Sequence, residues 1–279
     1  MSAVHPALAQ GRPCPICGAR AAEVAAVARP VRCRDCGLVY VDPVPPEAIA
    51  TGTYGSDYYE PWQGAEEGPR RRMWNSRLRR LRRRVSSIGT LLDVGCGDGL
   101  FALLAKEAGW RVDAIEFSPE GARRAAARLG RPVAVGDLAR SLHLPGPFEV
   151  ITLWHVLEHL PEPRAMLEAA RRRLTPGGLL VVAVPNLDNL PMRAAYRVAR
   201  RRPYPLYEPG AREPHLSHFS PHTLRAILER GGFGEIRITT DTCALTLPKR
   251  AIDQCAALAG FFGGRILTDA LTAFARRLP

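Results

Sequence analysis

Lysine is almost absent from this sequence. Of the 39 basic residues two are Lys, at positions 106 and 249, and thirty-seven are Arg. The formal net charge is +12, which by itself would suggest a nucleic-acid partner. An excess of Arg over Lys, beside abundant Ala, Gly and Pro, is also what a GC-rich coding sequence produces. The charge is therefore weak support for any class of partner.

A long apolar run is also missing. No stretch approaches the ~20 apolar residues that a membrane-spanning helix needs. The first residues, MSAVHPALAQG, lack the charged start and continuous apolar centre of a signal peptide. We therefore expect a cytoplasmic protein. The hydrophobic fraction of 46% is enough for a packed core, and 279 residues leave room for one α/β domain with a small additional module.

Predicted strands and helices alternate from Thr90 onward. The predicted strands are residues 90–94, 111–117, 132–136, 148–154, 178–184 and 235–240. Apolar strands that alternate with helices are typical of a parallel sheet covered on both faces. We predict a doubly wound α/β domain over residues 89–245, with a Pro- and Arg-rich insertion at 185–219. The tail, 246–279, is predicted to be helical without a final strand.

Glycine falls at every second position after the first predicted strand. In TLLDVGCGDG the acid and the glycines are Asp93, Gly95, Gly97 and Gly99. Glycine lets the main chain approach a ligand without a Cβ in the way, and doubly wound sheets bind ligands beyond the carboxyl ends of their strands. Glu116 and Asp137 end two further strands. Acids at three strand ends suit a cationic nucleoside without phosphate, whereas a dinucleotide favours G-x-G-x-x-G.

These motifs resemble those of the class I S-adenosylmethionine-dependent methyltransferases. LLDVGCGDG is similar to the first motif of that family, AIEFSPEGA to the second and VGDL to the third. FEVITLWHVLEHLPEP and LTPGGLLVVAVPN are similar to the fourth and fifth. The resemblance covers residues 88–240 and implies a Rossmann-like sheet that binds S-adenosyl-L-methionine.

The resemblance also implies which residues contact this cofactor. The glycine loop would hold the methionine part, Glu116 the ribose and Asp137 the adenine. Phe117 and Leu138 would lie against the adenine, and Trp154 would face the reacting methyl group. The full implied set is Asp93, Gly95, Cys96, Gly97, Glu116, Phe117, Asp137, Leu138 and Trp154, with Cys96 as a small residue between the glycines.

Four cysteines form two pairs near the N-terminus. They are Cys14, Cys17, Cys33 and Cys36. Their spacing, C-x2-C-x15-C-x2-C, is close to that of a zinc ribbon, in which four thiolates complete a closed tetrahedral shell. We therefore predict a structural Zn²⁺ site within a zinc-ribbon-like module of residues 1–50. Iron in a rubredoxin-like site is the alternative, and a cytosolic chain disfavours disulfides.

A linker and a basic helix are predicted over residues 51–88. Nine Arg lie between positions 70 and 84. The apolar stripe of the helix is Trp74, Leu78, Leu81, Val85 and Ile88. We expect this stripe to pack on the main domain and the arginines to lie in water. The alternative is a surface that binds the phosphates of a lipid, a nucleotide-sugar or RNA.

The segment HVLEH, residues 155–159, also fits the H-x-x-E-H pattern of zinc peptidases. Two histidines on one helical face could hold a metal ion. That pattern belongs on a helix with a third ligand from elsewhere. Here it follows a strand within a complete series of methyltransferase motifs, so we do not predict a peptidase.

Methylation of a hydroxyl group is helped by a general base, and His is the usual one. The candidates are His155, which follows the fourth strand, and His215 and His218 in HLSHFSP. As catalytic residues we place His218 first and His155 second. The alternative for each histidine is a hydrogen bond that anchors a loop.

The N-terminal part suggests a class of acceptor. CRDCGLVYVDPVP followed by YGSDYY resembles the front end of bacterial methyltransferases that modify sugars, glycans or lipids, in which the tyrosine-rich segment can fold over the cofactor. We predict a small-molecule, glycan or lipid-linked acceptor. An RNA methyltransferase with a zinc module is the alternative, and a metal-dependent binding module without catalysis is a third. Residues 192–202 and 256–278 are predicted amphipathic helices with basic faces, either at a membrane surface or packed on the sheet.

Overall fold

The computed structural model describes most of the chain, including every predicted site residue. The described residues are 12–19, 27–46, 54–60, 66–140, 144, 146–211, 213–243 and 247–279. The remaining parts of the predicted module and linker lie outside the described residues. No helix in the described ranges is both long enough and apolar enough to cross a membrane.

The strands belong to two sheets. They are β1 (Arg29–Arg32), β2 (Val39–Asp42), β3 (Thr90–Val94), β4 (Arg111–Glu116), β5 (Ala134–Val135), β6 (Phe148–Trp154), β7 (Leu174–Pro185), β8 (Ser217–His218), β9 (Phe233–Asp241) and β10 (Ala270–Arg277). The helices are α1 (Ser56–Tyr59), α2 (Glu67–Arg82), α3 (Leu100–Glu107), α4 (Pro119–Leu129), α5 (Pro163–Arg173), α6 (Leu190–Arg200), α7 (Pro221–Arg230) and α8 (Leu247–Phe262). A 3-10 turn, Leu157–His159, follows β6.

The large sheet has seven strands within the described residues, in the order β5-β4-β3-β6-β7-β10-β9. Strands β5, β4, β3, β6 and β7 run parallel, and β10 runs antiparallel to both of its neighbours. Leu92 and Val94 of β3 enter one apolar cluster and Leu91 enters another, so both faces of the sheet are covered. The predicted Rossmann-like doubly wound α/β fold is confirmed.

Residues at both ends of α4, the helix that follows β4, determine where it begins and ends. The Ser118 side chain accepts a hydrogen bond from the Gly121 N–H, and Pro119 occupies the first turn. The helix ends at Gly130, whose φ of 69° is left-handed. These features bring the end of β4 and the start of α4 together at the edge where ligands bind in such sheets.

The predicted helical tail is wrong in its last part. Helix α8 occupies residues 247–262, but residues 270–277 form β10, which lies inside the large sheet between β7 and β9. Residues 270–275 are all buried. Because both faces of this strand are covered, its sequence shows no alternation of apolar and polar residues.

The basic helix also differs from its prediction. Leu78 and Leu81 are buried as expected, but two of its arginines, Arg70 and Arg77, are buried with them. Arg70 forms two hydrogen bonds to Asp98, of 2.8 and 2.9 Å. Arg77 Nε lies 2.9 Å from Asp241 Oδ2 at the end of β9. The helix is therefore held to the domain by buried ion pairs as well as by its apolar stripe.

A small sheet, in the order β1-β2-β8, joins the cysteine module to the main domain. Strand β2 pairs antiparallel with β8, with Val39 opposite His218 and Tyr40 opposite Ser217. The Arg12 guanidinium donates to the carbonyl groups of Val41, Pro161 and Leu216, at 2.8–3.0 Å. The module thereby fixes the segment that carries two of the predicted histidines.

Candidate cofactor and metal sites

The glycine loop after β3 has the backbone that its sequence predicts. Gly95, Gly97 and Gly99 have φ values of 68°, 57° and 76°, a left-handed conformation that favours glycine. A Cβ on Gly95 would lie 2.5 Å from Val156 Cγ2, and one on Gly99 would lie 2.8 Å from the Ala125 backbone. The loop is therefore restricted to residues without side chains at these positions.

Asp93 is buried directly before this loop. Its Oδ1 accepts a hydrogen bond of 2.7 Å from the Thr152 hydroxyl. Burial raises the pKa of Asp93 to about 7, and the nearby Glu116 carboxylate contributes to the increase. Asp93 thus supports the base of the loop.

Glu116 connects the end of β4 to the glycine loop. Its Oε2 accepts from the Gly97 N–H at 2.7 Å, and its Oε1 accepts from the Ser118 N–H at 2.9 Å. Burial raises the pKa of Glu116, although these hydrogen bonds oppose the increase. Two backbone donors therefore hold this carboxylate in one orientation.

The predicted adenine-flanking residues lie at the ends of β4 and β5. Asp137 Oδ1 accepts from the Ala139 N–H at 2.8 Å. Phe117 is 41% exposed, whereas Leu138 is fully buried. The exposed ring of Phe117, next to Glu116, is available to contact a ligand. The assignment of Asp137, Phe117 and Leu138 to the adenine stays a prediction.

Trp154 and Cys96 are both buried. The Trp154 ring lies 5.1 Å from the ring of Phe101 and 5.6 Å from that of Trp74, measured between centroids. The Arg77 guanidinium lies 5.1 Å from the Trp154 centroid. Trp154 thus belongs to an aromatic cluster at the carboxyl end of β6, and its contact with a methyl group stays a prediction.

The tyrosine-rich segment reaches the same edge of the sheet. The Tyr54 carbonyl accepts from the Ser118 hydroxyl at 2.7 Å, and the Tyr58 hydroxyl donates to Glu213 Oε1 at 2.8 Å. The Tyr59 hydroxyl lies 2.4 Å from where a Cβ on Gly121 would be. Residues 54–60 therefore connect the end of β4 to the segment that precedes β8.

His155 follows β6 in a left-handed conformation, with φ of 56°. Its Nδ1 lies 3.2 Å from Glu158 Oε1, and its Nε2 lies 3.1 Å from Arg77 Nη2 and 3.0 Å from Cys243 Sγ. Burial alone would lower the pKa of His155, but Cys243 and Glu158 outweigh burial and raise it to about 10. Both ring nitrogens are therefore engaged by protein groups.

His215 and His218 are brought to the same region by β8. Burial lowers the pKa of His215 to about 3 and that of His218 to about 4, so both rings are neutral at pH 7. The Nε2 atom of His218 is buried without a hydrogen-bond partner. Of the two predicted catalytic histidines, His218 is the one with an unengaged ring nitrogen.

Glu158 and His159 complete this region. Glu158 is fully buried, and its backbone carbonyl accepts from the Leu216 N–H at 2.7 Å. His159 stacks edge-on against His215 at a centroid distance of 4.8 Å. The H-x-x-E-H pattern of the sequence includes both residues, but they lie in a 3-10 turn. The His155 ring contacts Glu158 through Nδ1 and Arg77 and Cys243 through Nε2, and it is not part of the group of potential metal ligands that contains His159. The peptidase pattern is therefore not formed.

The four N-terminal cysteines come together as predicted. Their sulfur atoms all lie within 4.8 Å of one another, with Cys14 and Cys36 3.4 Å apart and Cys17 and Cys33 3.5 Å apart. Gly18 and Gly37, which follow the two pairs, have φ values of 76° and 77° and donate to the carbonyls of the first cysteine of each pair. None of the seven cysteines, each within the described residues, forms a disulfide bond.

Parts of this chain are similar to known proteins. A family model described as a methyltransferase domain matches residues 67–236. The ubiquinone biosynthesis O-methyltransferase of Xylella fastidiosa (strain M23) is 38% identical over 119 residues, which are 39% of this chain and 48% of that protein. A protein of the same name from Xanthomonas campestris pv. campestris (strain B100) is 37% identical over 106 residues, 34% of this chain and 43% of that protein. The chain spans about half the length of these curated relatives.

Solved structures share the fold. A SAM-dependent methyltransferase from Archaeoglobus fulgidus is similar with a TM-score of 0.52 and 20% identity, over 79% of this chain and 98% of that chain.

Proposed function

This chain belongs to the family of methyltransferase domains, and from that premise we propose that it transfers a methyl group from S-adenosyl-L-methionine to a small molecule, a glycan or a lipid-linked precursor. The observation that carries the proposal is the glycine loop tied to Glu116. The two curated relatives are by name O-methyltransferases of ubiquinone biosynthesis, which supports a hydroxyl oxygen and a lipid-linked precursor.

The residues present fit this cofactor. The left-handed φ values of Gly95, Gly97 and Gly99 fold the loop without side chains that would stand between its backbone and a ligand. Each carboxylate oxygen of Glu116 accepts one backbone hydrogen bond and retains a second lone pair, which a ribose hydroxyl can use. Gly95 and Gly97 would hold the methionine part, Glu116 the ribose and Asp137 the adenine amine.

In the proposed reaction the protein aligns the acceptor with the methyl group and does not need to activate the methyl group. When bound, S-adenosyl-L-methionine supplies a methyl group on a positively charged sulfur, which is already activated as an electrophile. The chain must hold the acceptor in line and keep water out. The segment 54–60 supports this role because Tyr54 and Tyr58 tie it to both sides of the site.

His218 is the first candidate for a general base. Burial keeps its ring neutral, and in the tautomer with the hydrogen on Nδ1 the unpartnered Nε2 would accept a proton from an acceptor hydroxyl. His155 is the second candidate, but its two ring nitrogens already contact Glu158, Arg77 and Cys243. This ordering agrees with the ranking expected from the sequence.

The four cysteines are proposed to hold one structural Zn²⁺. Sulfur atoms around a tetrahedral Zn²⁺ with bonds of about 2.3 Å lie about 3.8 Å apart, close to the spacing of the two sulfur pairs. The ion would supply a cross-link between the two pairs and leave no open position. Four reduced cysteines that hold a metal ion require a reducing compartment, so we propose a cytoplasmic location.

Transfer of label from methyl-labelled S-adenosyl-L-methionine tests the function. The zinc-loaded chain is offered separate lipid, saccharide and RNA fractions, and we expect label in lipid or saccharide. Glu116→Ala should lower transfer by about tenfold or more, since a hydrogen bond to a charged group is lost. Glu168→Gln, an exposed change on α5, should leave transfer unaltered.

Two outcomes would overturn the proposal. Label that enters RNA alone would replace it with the RNA methyltransferase alternative. Failure of the chain to bind the cofactor would support a binding module without methyl transfer. Several arginines of the basic helix, among them Arg70, Arg77 and Arg80, are paired with Asp98 or Asp241, which leaves fewer guanidinium groups for RNA phosphates than the sequence suggests.

A further inference from the structure

A second group of potential metal ligands lies apart from the four cysteines. Within the described part of the chain, ligand atoms of Glu158, His159 and His215 all lie within 4.8 Å of one another. We call these three residues the Glu158 cluster. Glu158 and His159 come from the 3-10 turn after β6, and His215 precedes β8. The hydrogen bond from the Leu216 N–H to the Glu158 carbonyl holds the two segments together.

The orientation of His159 is fixed by the backbone. Its Nδ1 lies 3.1 Å from the Pro214 carbonyl oxygen. A carbonyl oxygen only accepts, so Nδ1 carries the hydrogen and the Nε2 of the neutral ring presents a lone pair. A backbone carbonyl on the second ring nitrogen is a common feature of metal-binding histidines.

The free side of the His159 ring faces carboxylates. Its Nε2 lies 3.9 Å from Glu158 Oε1 and 3.5 Å from Glu213 Oε1. A nitrogen lone pair that faces two carboxylate oxygens is stabilised when a proton or a metal ion lies between them. The three atoms therefore define a position that favours positive charge.

Glu158 provides an independent indication of a ligand. Its carboxylate is fully buried, and Oε2 has no hydrogen-bond partner. Its Oε1 faces His155 on one side and His159 on the other, so the charge is only partly compensated. A buried carboxylate oxygen without a partner is costly unless a bound ligand satisfies it.

We propose that the Glu158 cluster binds one divalent transition-metal ion, with Glu158 as the carboxylate ligand and His159 and His215 as the imidazole ligands. Two imidazoles and one carboxylate form a donor set used for Zn²⁺ and Fe²⁺ in sites with open positions. Ligand atoms about 2.1 Å from a tetrahedral ion lie about 3.4 Å apart. The present ligand atoms lie within 4.8 Å of one another, so binding requires the three side chains to close around the ion. Glu213, whose Oε1 lies 3.5 Å from His159 Nε2, borders the site, and the fourth position of the ion remains open.

The position of this ion deepens the proposed function, on which the following step rests. The turn that carries Glu158 adjoins the cofactor loop, because Val156 occupies the space beside Gly95. An ion in the Glu158 cluster would hold an oxygen atom of the acceptor next to that loop, through a coordination position that the protein leaves open. His218, outside the ligand set, remains as the base. The ion would thus select acceptors with an oxygen donor beside the methylated position.

Titration with Co²⁺ tests the site. The full chain, with Zn²⁺ already in the four-cysteine site, should bind one further equivalent of Co²⁺ without the intense thiolate-to-cobalt absorption of a cysteine site. His159→Gln and His215→Gln should each weaken this binding by about tenfold or more. His222→Gln, at an exposed position on α7, is the matched control and should bind as the unchanged chain does.

Binding of S-adenosylhomocysteine and retained zinc identify variants that are folded. Glu213→Gln, at a partly exposed position, provides a further variant and should weaken Co²⁺ binding less than His159→Gln. The proposal is overturned if the wild-type chain binds no second equivalent, or if folded His159→Gln and His215→Gln variants bind it as tightly as wild type. Neither result affects the proposed function, which fails separately if the wild-type chain does not bind S-adenosylhomocysteine.

Discussion

Asp93, the residue before the last in β3, lies inside the core, and burial raises its pKa to about 7. In the unfolded chain the pKa is about 3.9, so between these pH values the folded state holds a proton that the unfolded state releases. The contribution of Asp93 to stability is therefore fully present below about pH 4 and is lost as the pH rises to about 7. Above that pH the carboxylate is ionised in both states and the difference stays constant.

Asp93→Asn keeps the hydrogen bond from Thr152, because the amide oxygen accepts it, and removes the titration. The free energy of unfolding of wild type relative to Asp93→Asn should fall between pH 4 and pH 7 by up to a few kcal/mol, since one pKa unit corresponds to about 1.4 kcal/mol. Urea unfolding of the cofactor-free proteins at several pH values measures this. Equal pH dependence of the two proteins would contradict the assignment, and exposed Glu168→Gln is the control.

Single residues differ in how far the sequence reveals their roles. Gly95, Gly97 and Glu116 are predictable, because a local pattern after a strand dictates their backbone or their position. Glu158 and His215 are 57 positions apart in the sequence, and no local pattern shows that a turn after β6 and a segment before β8 come together. The burial of Arg77 could not be predicted from the sequence either, because its partner Asp241 ends a strand far away in the sequence.

At the scale of elements, helix starts and strands with strong apolar patterns were predictable, and β10 was not. The sequence ALTAFARR is rich in Ala, and its local composition favours a helix. Its pairing with β7 and β9 supplies hydrogen bonds and apolar contacts on both faces. Tertiary pairing outweighs local propensity here, which explains why the predicted helical tail was wrong.

The pairing of β2 with β8 links the cysteine module to the candidate active site. Strand β2 follows the second cysteine pair, and its partner β8 holds His218. A structural metal fixes the fold of such a small module. With the proposed Zn²⁺ bound at the four cysteines, loss of the ion is therefore expected to loosen β8, although the cysteines lie outside the candidate active site.

Chelation of the metal at the four cysteines tests this link. Hydrogen exchange of the amides of β2 and β8 should become about tenfold faster or more after zinc removal, while the amides of β6 in the large sheet should keep their protection. The exchange is measured by mass spectrometry with and without chelator, and readdition of Zn²⁺ should restore slow exchange. Unchanged exchange in β8 after complete zinc removal would show that the module does not support this strand.

On the scale of the whole molecule, some of the arginines that give the chain its positive charge hold the fold together. Arg70 and Arg77 hold α2 to the domain through buried carboxylates, and Arg12 fastens the cysteine module through backbone carbonyls. An arginine makes several hydrogen bonds in one plane, which suits it to such contacts. Arginines paired inside the fold are not available to external partners. The net charge of +12 is therefore weaker evidence for such partners than it would be if all of these arginines lay on the surface.

Three separate parts of the chain meet at the carboxyl ends of the parallel strands. The glycine loop and Glu116 come from the large sheet, the tyrosine-rich segment comes from before α2, and His215 and His218 come from the segment fixed by the cysteine module. Their convergence follows from the topology, because a doubly wound sheet presents its loops at this edge. The central claim is that this edge binds S-adenosyl-L-methionine.

Calorimetric titration of the zinc-loaded chain with S-adenosylhomocysteine tests that claim most directly. This demethylated product of the cofactor cannot be turned over, so the heat reports binding alone. One equivalent should bind to wild type, and Glu116→Ala should bind it about tenfold more weakly or worse, because a charged hydrogen-bond acceptor for the ribose is lost. Binding by wild type with this loss in Glu116→Ala is the predicted result; no heat from the intact, metal-loaded wild-type chain would contradict it.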